Sequence, residues 1–514
     1  MNKNLSLIQR LFIPSVFDLI VATFFVAIIF SSPLIKCYDI WWHLRTGDLL
    51  LKGIFPTQDI FSFTAFGNPW ILHEWGSEVL FTLAYKGMGF SGLIILKSFV
   101  FALTFGLAFK MMLRKNINIL VCFMFTLILM VGSAGSWTVR PHMFTGLFLV
   151  MLFYIYIEFK HHKNQKALRF LPLIFLLWIN LHGGFIIGFM FLGICIVAEL
   201  INIFIQYDKE KSLSFYECKI FIIYTLISFA ACFINPNTYE GVLYPLIYLG
   251  NQMDSHLISE WNPPTIRSNV QFFIMVFFII TGLLFNKKKL LLYEIFLILV
   301  FVFFAFSAKR HVSIFTLVAI PIVAPLWQNI IFAGYERIFH IVTDCLKLPL
   351  QKISDYFNSR SSSFSLKEEQ LKYHTILILV IFFLILLYGF KGEKFNIGVN
   401  KSLYPIEIVG YIKSNNIKGN MFNQYAWGGF LIWSLPDRKV FIDGRMDVYK
   451  KEISDQYLTI IDLKEGWEDV LKKYSIEYIV VNKNLIISRF LAKMSDEWVV
   501  VKETDNAYLF SRIQ

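Results

Sequence analysis

Charge is what this sequence has least of. Asp, Glu, Lys and Arg make up 16% of its 514 residues, against about 25% in a soluble protein of this size. The chain is 56% hydrophobic and 18% aromatic, and several apolar runs approach the roughly 20 residues that cross a hydrocarbon core. These proportions exclude a soluble enzyme and predict a polytopic α-helical membrane protein. Cysteine is scarce as well, with six in all and none after residue 391. Only Cys37 is expected near the surface on the far side of the membrane, which excludes a disulfide framework. Familiar soluble catalytic motifs are missing: no Walker loop, no G-x-S-x-G, no H-E-x-x-H. No small-residue cleavage site follows the first apolar run, so that run is read as an anchor and not as a removed signal.

The net charge of +12 does not point to nucleic acid. Lys and Arg gather in short loops between apolar runs, where the positive-inside bias places them. Lys3 and Arg10 put the N-terminus inside, ahead of a first span at about 17–35. Further spans are expected near 90–112, 117–136, 142–159, 218–234, 269–285, 290–307, 312–330 and 374–390. The run 168–206 is too long for one span and is broken at Asn180-Leu181-His182-Gly183-Gly184, which makes it two. About eleven spans result, with residues 1–391 as the membrane domain. Within it lie a first outer loop at 36–89, an interfacial helix at His73–Lys86 and a Ser-rich inside linker at 331–372. Residues 392–514 change character. Strand-like runs at 439–442, 478–481 and 498–501 alternate with helical ones at 405–414 and 467–473, predicting a small extracytoplasmic α/β domain with a partly parallel sheet.

Assigning sides by Lys and Arg alone puts His43, His73, His142, His182, His256 and His311 on the outer face. Asp39, Glu74 and Glu260 fall there too. Polar groups near membrane depth are costly and mark function, so one site on that face is expected. Asp39 lies just past the first span, where a carboxylate stays ionised yet partly desolvated, as a general base for a hydroxyl needs. Trp41 and Trp42 form either a sugar-stacking platform or an interfacial belt. His73-Glu74 opens the second polar element, with Glu78 one turn on and on the same face. Glu74 holds a sugar's hydroxyls, shares a metal with Asp39, or caps its helix. A divalent cation is compatible with these groups, although no tight ligand spacing appears. Trp42, His43, His73, Glu74, Glu78, Arg140, His182 and Glu260 are therefore the candidate substrate-binding residues.

Lys309-Arg310-His311 is a basic triplet on the outer face, against the positive-inside bias. Arg grips phosphate with paired donors, so this triplet is the candidate lipid-phosphate site, with Arg140 a weaker one. In the C-terminal part, 423–429 and Phe441-Ile442-Asp443-Gly444-Arg445-Met446-Asp447 read as loops that dock on the membrane domain, or as a sugar-acceptor surface.

An acid just after the first span, interfacial helices and a His motif ahead of the second span resemble the GT-C superfamily of membrane glycosyltransferases. That group includes protein O-mannosyltransferases, aminoarabinose transferases, oligosaccharyltransferase catalytic subunits and bacterial RgtA/B/C/D-like proteins. The resemblance covers roughly residues 1–330 and is closest to the bacterial members. It departs from the usual pattern where Ile40 follows Asp39 and where Glu74-Trp75 follow His73. It implies sugar transfer, with inversion, from a polyprenyl-phosphate donor to a glycan, lipid or protein acceptor at the outer face of the plasma membrane. In it Asp39 takes the acceptor proton, and Arg310, with His311, holds the departing lipid phosphate. The alternatives are a flippase of lipid-linked glycans, which would show internal repeats and mid-membrane broken helices, and a non-catalytic envelope-assembly protein.

Overall fold

The computed structural model describes residues 15–208, 211–250, 259–286, 289–341, 398–494 and 496–513. Its first helix, α1 (Val16–Ser31), starts at a capping box in which the Ser15 hydroxyl accepts from the Asp18 N–H and Asp18 accepts from the Ser15 N–H. A short strand, β1 (Leu34–Ile35), leads to α2 (Ile40–Leu51) and then to the long α3 (Trp75–Arg114). That helix is interrupted at Met88–Gly89, where Gly89 takes φ 60° and ψ −147°, a region open essentially to glycine alone. The break falls between the helix expected at 73–86 and the span expected at 90–112.

Six further helices follow through the first half: α4 (Ile119–Gly132), α5 (His142–His162), α6 (Leu171–Leu181), α7 (Phe185–Ile205), α8 (Phe215–Ala231) and α9 (Thr238–Gly250). Next come α10 (Val270–Phe285), α11 (Leu292–Ser307) and α12 (Val312–Ile341). Four helical stretches, Trp75–Arg114, His142–His162, Phe185–Ile205 and Lys309–Gly334, are long and apolar enough to cross a membrane, and α1, α4, α10 and α11 are shorter apolar helices. Helix α12 does not stop at 330 but continues to Ile341, with Pro321 and Pro325 inside it. The expected span at 374–390, most of the linker and His256 lie outside the described residues.

The C-terminal part begins with β2 (Gly398–Val399), which pairs in parallel with β1 and ties this segment to the end of the first helix. Helices α13 (Ile406–Ser414), α14 (Gly428–Ser434), α15 (Lys451–Ile461), α16 (Trp467–Lys473) and α17 (Ile486–Leu491) surround a four-stranded sheet. Its strands β3 (Asn420–Asn423), β4 (Ile476–Asn482), β5 (Trp498–Glu503) and β6 (Ala507–Arg512) lie in the order β3-β4-β6-β5, and only the β3/β4 pair is parallel. The expected strand at 439–442 is not in this sheet. Val440 instead pairs with the first loop, its N–H donating to Phe61 O and its carbonyl accepting from Phe63 N–H.

Residues assigned to opposite sides by the Lys/Arg bias gather at opposite ends of the helix bundle. At one end, Arg114 pairs with Glu158 (2.6 Å), Lys115 with Glu294 (2.8 Å), and buried Lys160 with buried Glu199. The other end holds Asp39 and its neighbours.

Candidate active site

The site is built by the turn before α2, the start of α3, the loop between α6 and α7, and the turns that precede α5 and α12. Its hub is Glu74. The carboxylate stands at the N-terminus of α3 without capping it, because three imidazoles compete for it. His73 Nε2 lies 3.5 Å from Glu74 Oε1, His182 Nε2 lies 3.6 Å from the same oxygen, and His43 Nε2 lies 3.9 Å from Oε2. Burial alone would raise the Glu74 carboxyl, but His73, by charge and hydrogen bond, with His43 and His182 holds it well below the usual carboxylate range.

Two of the three histidines are shifted one way and the third the other. Burial pushes His43 down to about 3, so it is neutral, with Nδ1 3.4 Å from Glu78 Oε1. Burial likewise pushes His182 down to about 3. Its Nδ1 accepts from the Gly184 N–H at 3.1 Å, which leaves the ring proton on Nε2, facing Glu74. Burial opposes a charge on His73, yet the Glu74 carboxylate and, further off, Asp447 raise it above its ordinary value. The His73 Nδ1 is 3.2 Å from Ile71 O, and Tyr244 stacks on its ring with centroids 3.8 Å apart.

Among the described residues no group of three His, Cys, Asp or Glu side chains is arranged to hold a metal ion.

Asp39 is the second centre. Its side chain is 18% exposed, and Oδ2 lies 2.5 Å from Arg140 Nη2. Burial raises the Asp39 carboxyl, Arg140 lowers it, and Glu260 and Glu74 raise it again, leaving it above the ordinary range. Arg140 also reaches Glu260 Oε1 at 2.8 Å. The next residue, Trp261, carries the Arg310 guanidinium 4.4 Å above its ring. Asp39, Arg140, Glu260-Trp261 and Arg310 thus form one line of contacts, and the Lys309 N–H donates to Asn262 O at 3.0 Å at its end.

Some candidates sit elsewhere than their sequence suggests. Glu78 is fully buried behind His43 and orients that ring, and its Oε2 has no hydrogen-bond partner. It supports the site and does not line it. Trp42 is 8% exposed with its ring against His43, so it offers no open stacking face. Trp41 is buried edge-on among Phe90, Tyr404 and Phe430, which makes it a docking contact for the C-terminal part and not a membrane belt. His311 sets its Nδ1 3.0 Å from Phe304 O, with its ring edge-on to Trp261.

Sequence reasoning missed how closely the C-terminal part enters here. Buried Arg445 pairs with Asp443 (2.6 Å) and with Asp59 of the first loop (2.7 Å), flanked by the Phe61 and Trp70 rings. Gly444 lies against the Asp39 carboxylate. The only signal was the density of polar residues at 441–447, which fits docking equally well.

No protein-family model matches the chain, and neither does any curated protein sequence. Solved structures do. The Archaeoglobus fulgidus oligosaccharyltransferase in the apo form aligns with a TM-score of 0.57 at 11% identity, covering 91% of this chain and 69% of that one. The same archaeal enzyme, AglB, with an inhibitory peptide and a dolichol-phosphate aligns at 0.55 and 11% identity, again over 91% and 69%. ArnT from Cupriavidus metallidurans, bound to undecaprenyl phosphate, aligns at 0.51 and 11% identity and covers 97% of both chains.

Proposed function

From the premise that this chain has the GT-C glycosyltransferase fold, we propose that it transfers a sugar from a polyprenyl-phosphate-linked donor to an acceptor hydroxyl. The observation that carries this proposal is the line from Asp39 through Arg140 and Glu260-Trp261 to Arg310. It sets a carboxylate of raised basicity at one end and an exposed guanidinium at the other. In support, two structural neighbours hold prenyl phosphates, a dolichol-phosphate and undecaprenyl phosphate.

Asp39, ionised, takes the proton of the acceptor hydroxyl. The oxygen attacks the anomeric carbon from the face opposite the phosphate, and the bond from that carbon to the phosphate oxygen breaks, inverting the centre. The phosphate leaves with the electron pair, and Arg310, with half-buried Lys309 beside it, stabilises its charge. Arg140 keeps Asp39 ionised between turnovers, and the His73–Glu74 pair positions the sugar. The Asp39 end faces the extracytoplasmic side, the N-terminus is cytoplasmic, the chain crosses the plasma membrane about eleven times, and residues 392–514 lie outside.

Mass spectrometry of surface glycans tests this in cells lacking the chain and complemented with wild type or Asp39→Asn. A glycan that disappears on deletion and returns only with wild type is the expected result. Full restoration by Asp39→Asn refutes the assignment of the base.

A further inference from the structure

The loop Asp443–Asp447 is held on the first outer loop from both sides. Thr64 Oγ1 donates to Phe441 O at 2.5 Å, Arg445 pairs with buried Asp59, and Asn68 Nδ2 donates to Val448 O at 3.0 Å. The middle of the loop therefore has little freedom. A Cβ on Gly444 would overlap the Asp39 carboxylate and lie 3.3 Å from Trp42 Nε1, so only glycine lets the backbone pass this close. The buried Trp42 indole N–H lies beside the same carboxylate and helps hold its charge. One turn further, Asp447 is half-buried and forms no hydrogen bond or ion pair with another side chain among the described residues. The charges it feels are those of His73, Arg445 and Glu74.

We propose that this loop is part of the catalytic site, with Gly444 positioning the Asp39 carboxylate and Asp447 binding donor groups, hydroxyl or ammonium, of a sugar acceptor. The proposal rests on the transfer reaction above and adds the class of acceptor. Charge decides which substrate half belongs here. Asp39, Glu74 and Asp447 would repel a phosphate, whereas Arg310 and Lys309 on the far side of Arg140 attract one. The acceptor therefore lies on the Gly444 side of Asp39. A carboxylate offers about four acceptor positions, which suits a polyol or an amino sugar and not an apolar lipid.

The test uses the full chain in proteoliposomes, with lipid-linked sugar extracted from the native membranes as donor. Methyl glycosides of neutral and amino sugars, and a Ser/Thr peptide, serve as acceptors. Asp447→Asn is expected to raise the acceptor KM about tenfold or more, as loss of a charged hydrogen bond does, with the donor KM unchanged. A larger loss for amino sugars identifies ammonium recognition, and an equal loss identifies hydroxyls; either supports the proposal. Gly444→Ala is expected to lower kcat without moving the acceptor KM and to shift the acid limb of the pH profile. If Gly444→Ala does not fold, Asp447→Asn decides alone, because that carboxylate bonds no other side chain. An unchanged acceptor KM in Asp447→Asn, with Asp39→Asn inactive, overturns this proposal and leaves the transfer reaction standing. Peptide as the sole acceptor used, unaffected by Asp447→Asn, also overturns it. Full activity of Asp39→Asn overturns the transfer mechanism itself.

Discussion

The two ends of the helix bundle are both rich in buried charge, and they spend it differently. At the Lys160 end the charges are matched one to one. Lys160 binds Glu199, which also accepts from Tyr156 (2.8 Å) and the Leu213 N–H (3.2 Å), so the carboxylate is saturated. Lys115 binds Glu294 and Arg114 binds Glu158 in the same manner. At the Asp39 end nothing is matched so evenly. One carboxylate, Glu74, is shared by three imidazoles, and one guanidinium, Arg140, is shared by two acids. Among the described residues, buried polar atoms of Glu78 and Arg445 go without hydrogen-bond partners there. Saturated pairs fasten helices together. Unsaturated ones have capacity left for a substrate, at a cost in stability that the pinned C-terminal part helps offset.

Breaking the saturated end should cost stability and little chemistry. Lys160→Met leaves Glu199 buried and unpaired, for an expected loss of about 3–5 kcal/mol, read as a fall in thermal unfolding temperature in detergent. The double variant Lys160→Met/Glu199→Gln should recover much of it. Loss of transfer per folded molecule, with no loss of stability, would erase the contrast between the ends.

The reverse pattern is expected at the other end. Arg310→Ala should weaken binding of undecaprenyl phosphate by about tenfold or more, the worth of one charge-assisted contact, with the unfolding temperature nearly unchanged. Titration of purified protein with that lipid in nanodiscs checks it. A smaller but more diagnostic effect concerns pH. The proposed base Asp39 would work only when ionised, so kcat/KM should fall as pH drops through its raised value. Arg140 lowers that value and Glu260 raises it. Arg140→Gln should therefore move the acid limb to higher pH, and a limb that stays put would remove Arg140 from Asp39's control.

Which parts of this arrangement were legible from sequence has a physical reason. Helices α4, α5, α7, α8 and α10 to α12 announce themselves as apolar runs, and the Gly183-Gly184 turn separates α6 from α7. The Lys/Arg bias also separated the residues that gather at the two ends of the bundle. What local pattern cannot show is convergence. His43, His73 and His182 meet at Glu74 only because α2, α3 and the α6–α7 turn pack together. The short strand β3 was missed because two of its four residues are Asn. Lys439–Ile442 has strand composition, but its Val440 backbone pairs with residues 61 and 63, almost 400 positions away, and its next two residues bond the Asn423 side chain. The Arg445–Asp59 pair and the seat of Gly444 on Asp39 are equally distant in sequence, which is why local pattern left this loop open between docking and a sugar-acceptor surface.

The most direct measurement separates binding from chemistry in one variant. Purified Asp39→Asn in nanodiscs is titrated with undecaprenyl phosphate and then given lipid-linked sugar and acceptor in a single turnover. It should bind the lipid as wild type does and transfer sugar about 10²–10⁴-fold more slowly, the usual worth of a general base. Transfer at the wild-type rate, or lipid binding lost along with transfer, would contradict a base at Asp39 working apart from a phosphate held at Arg310.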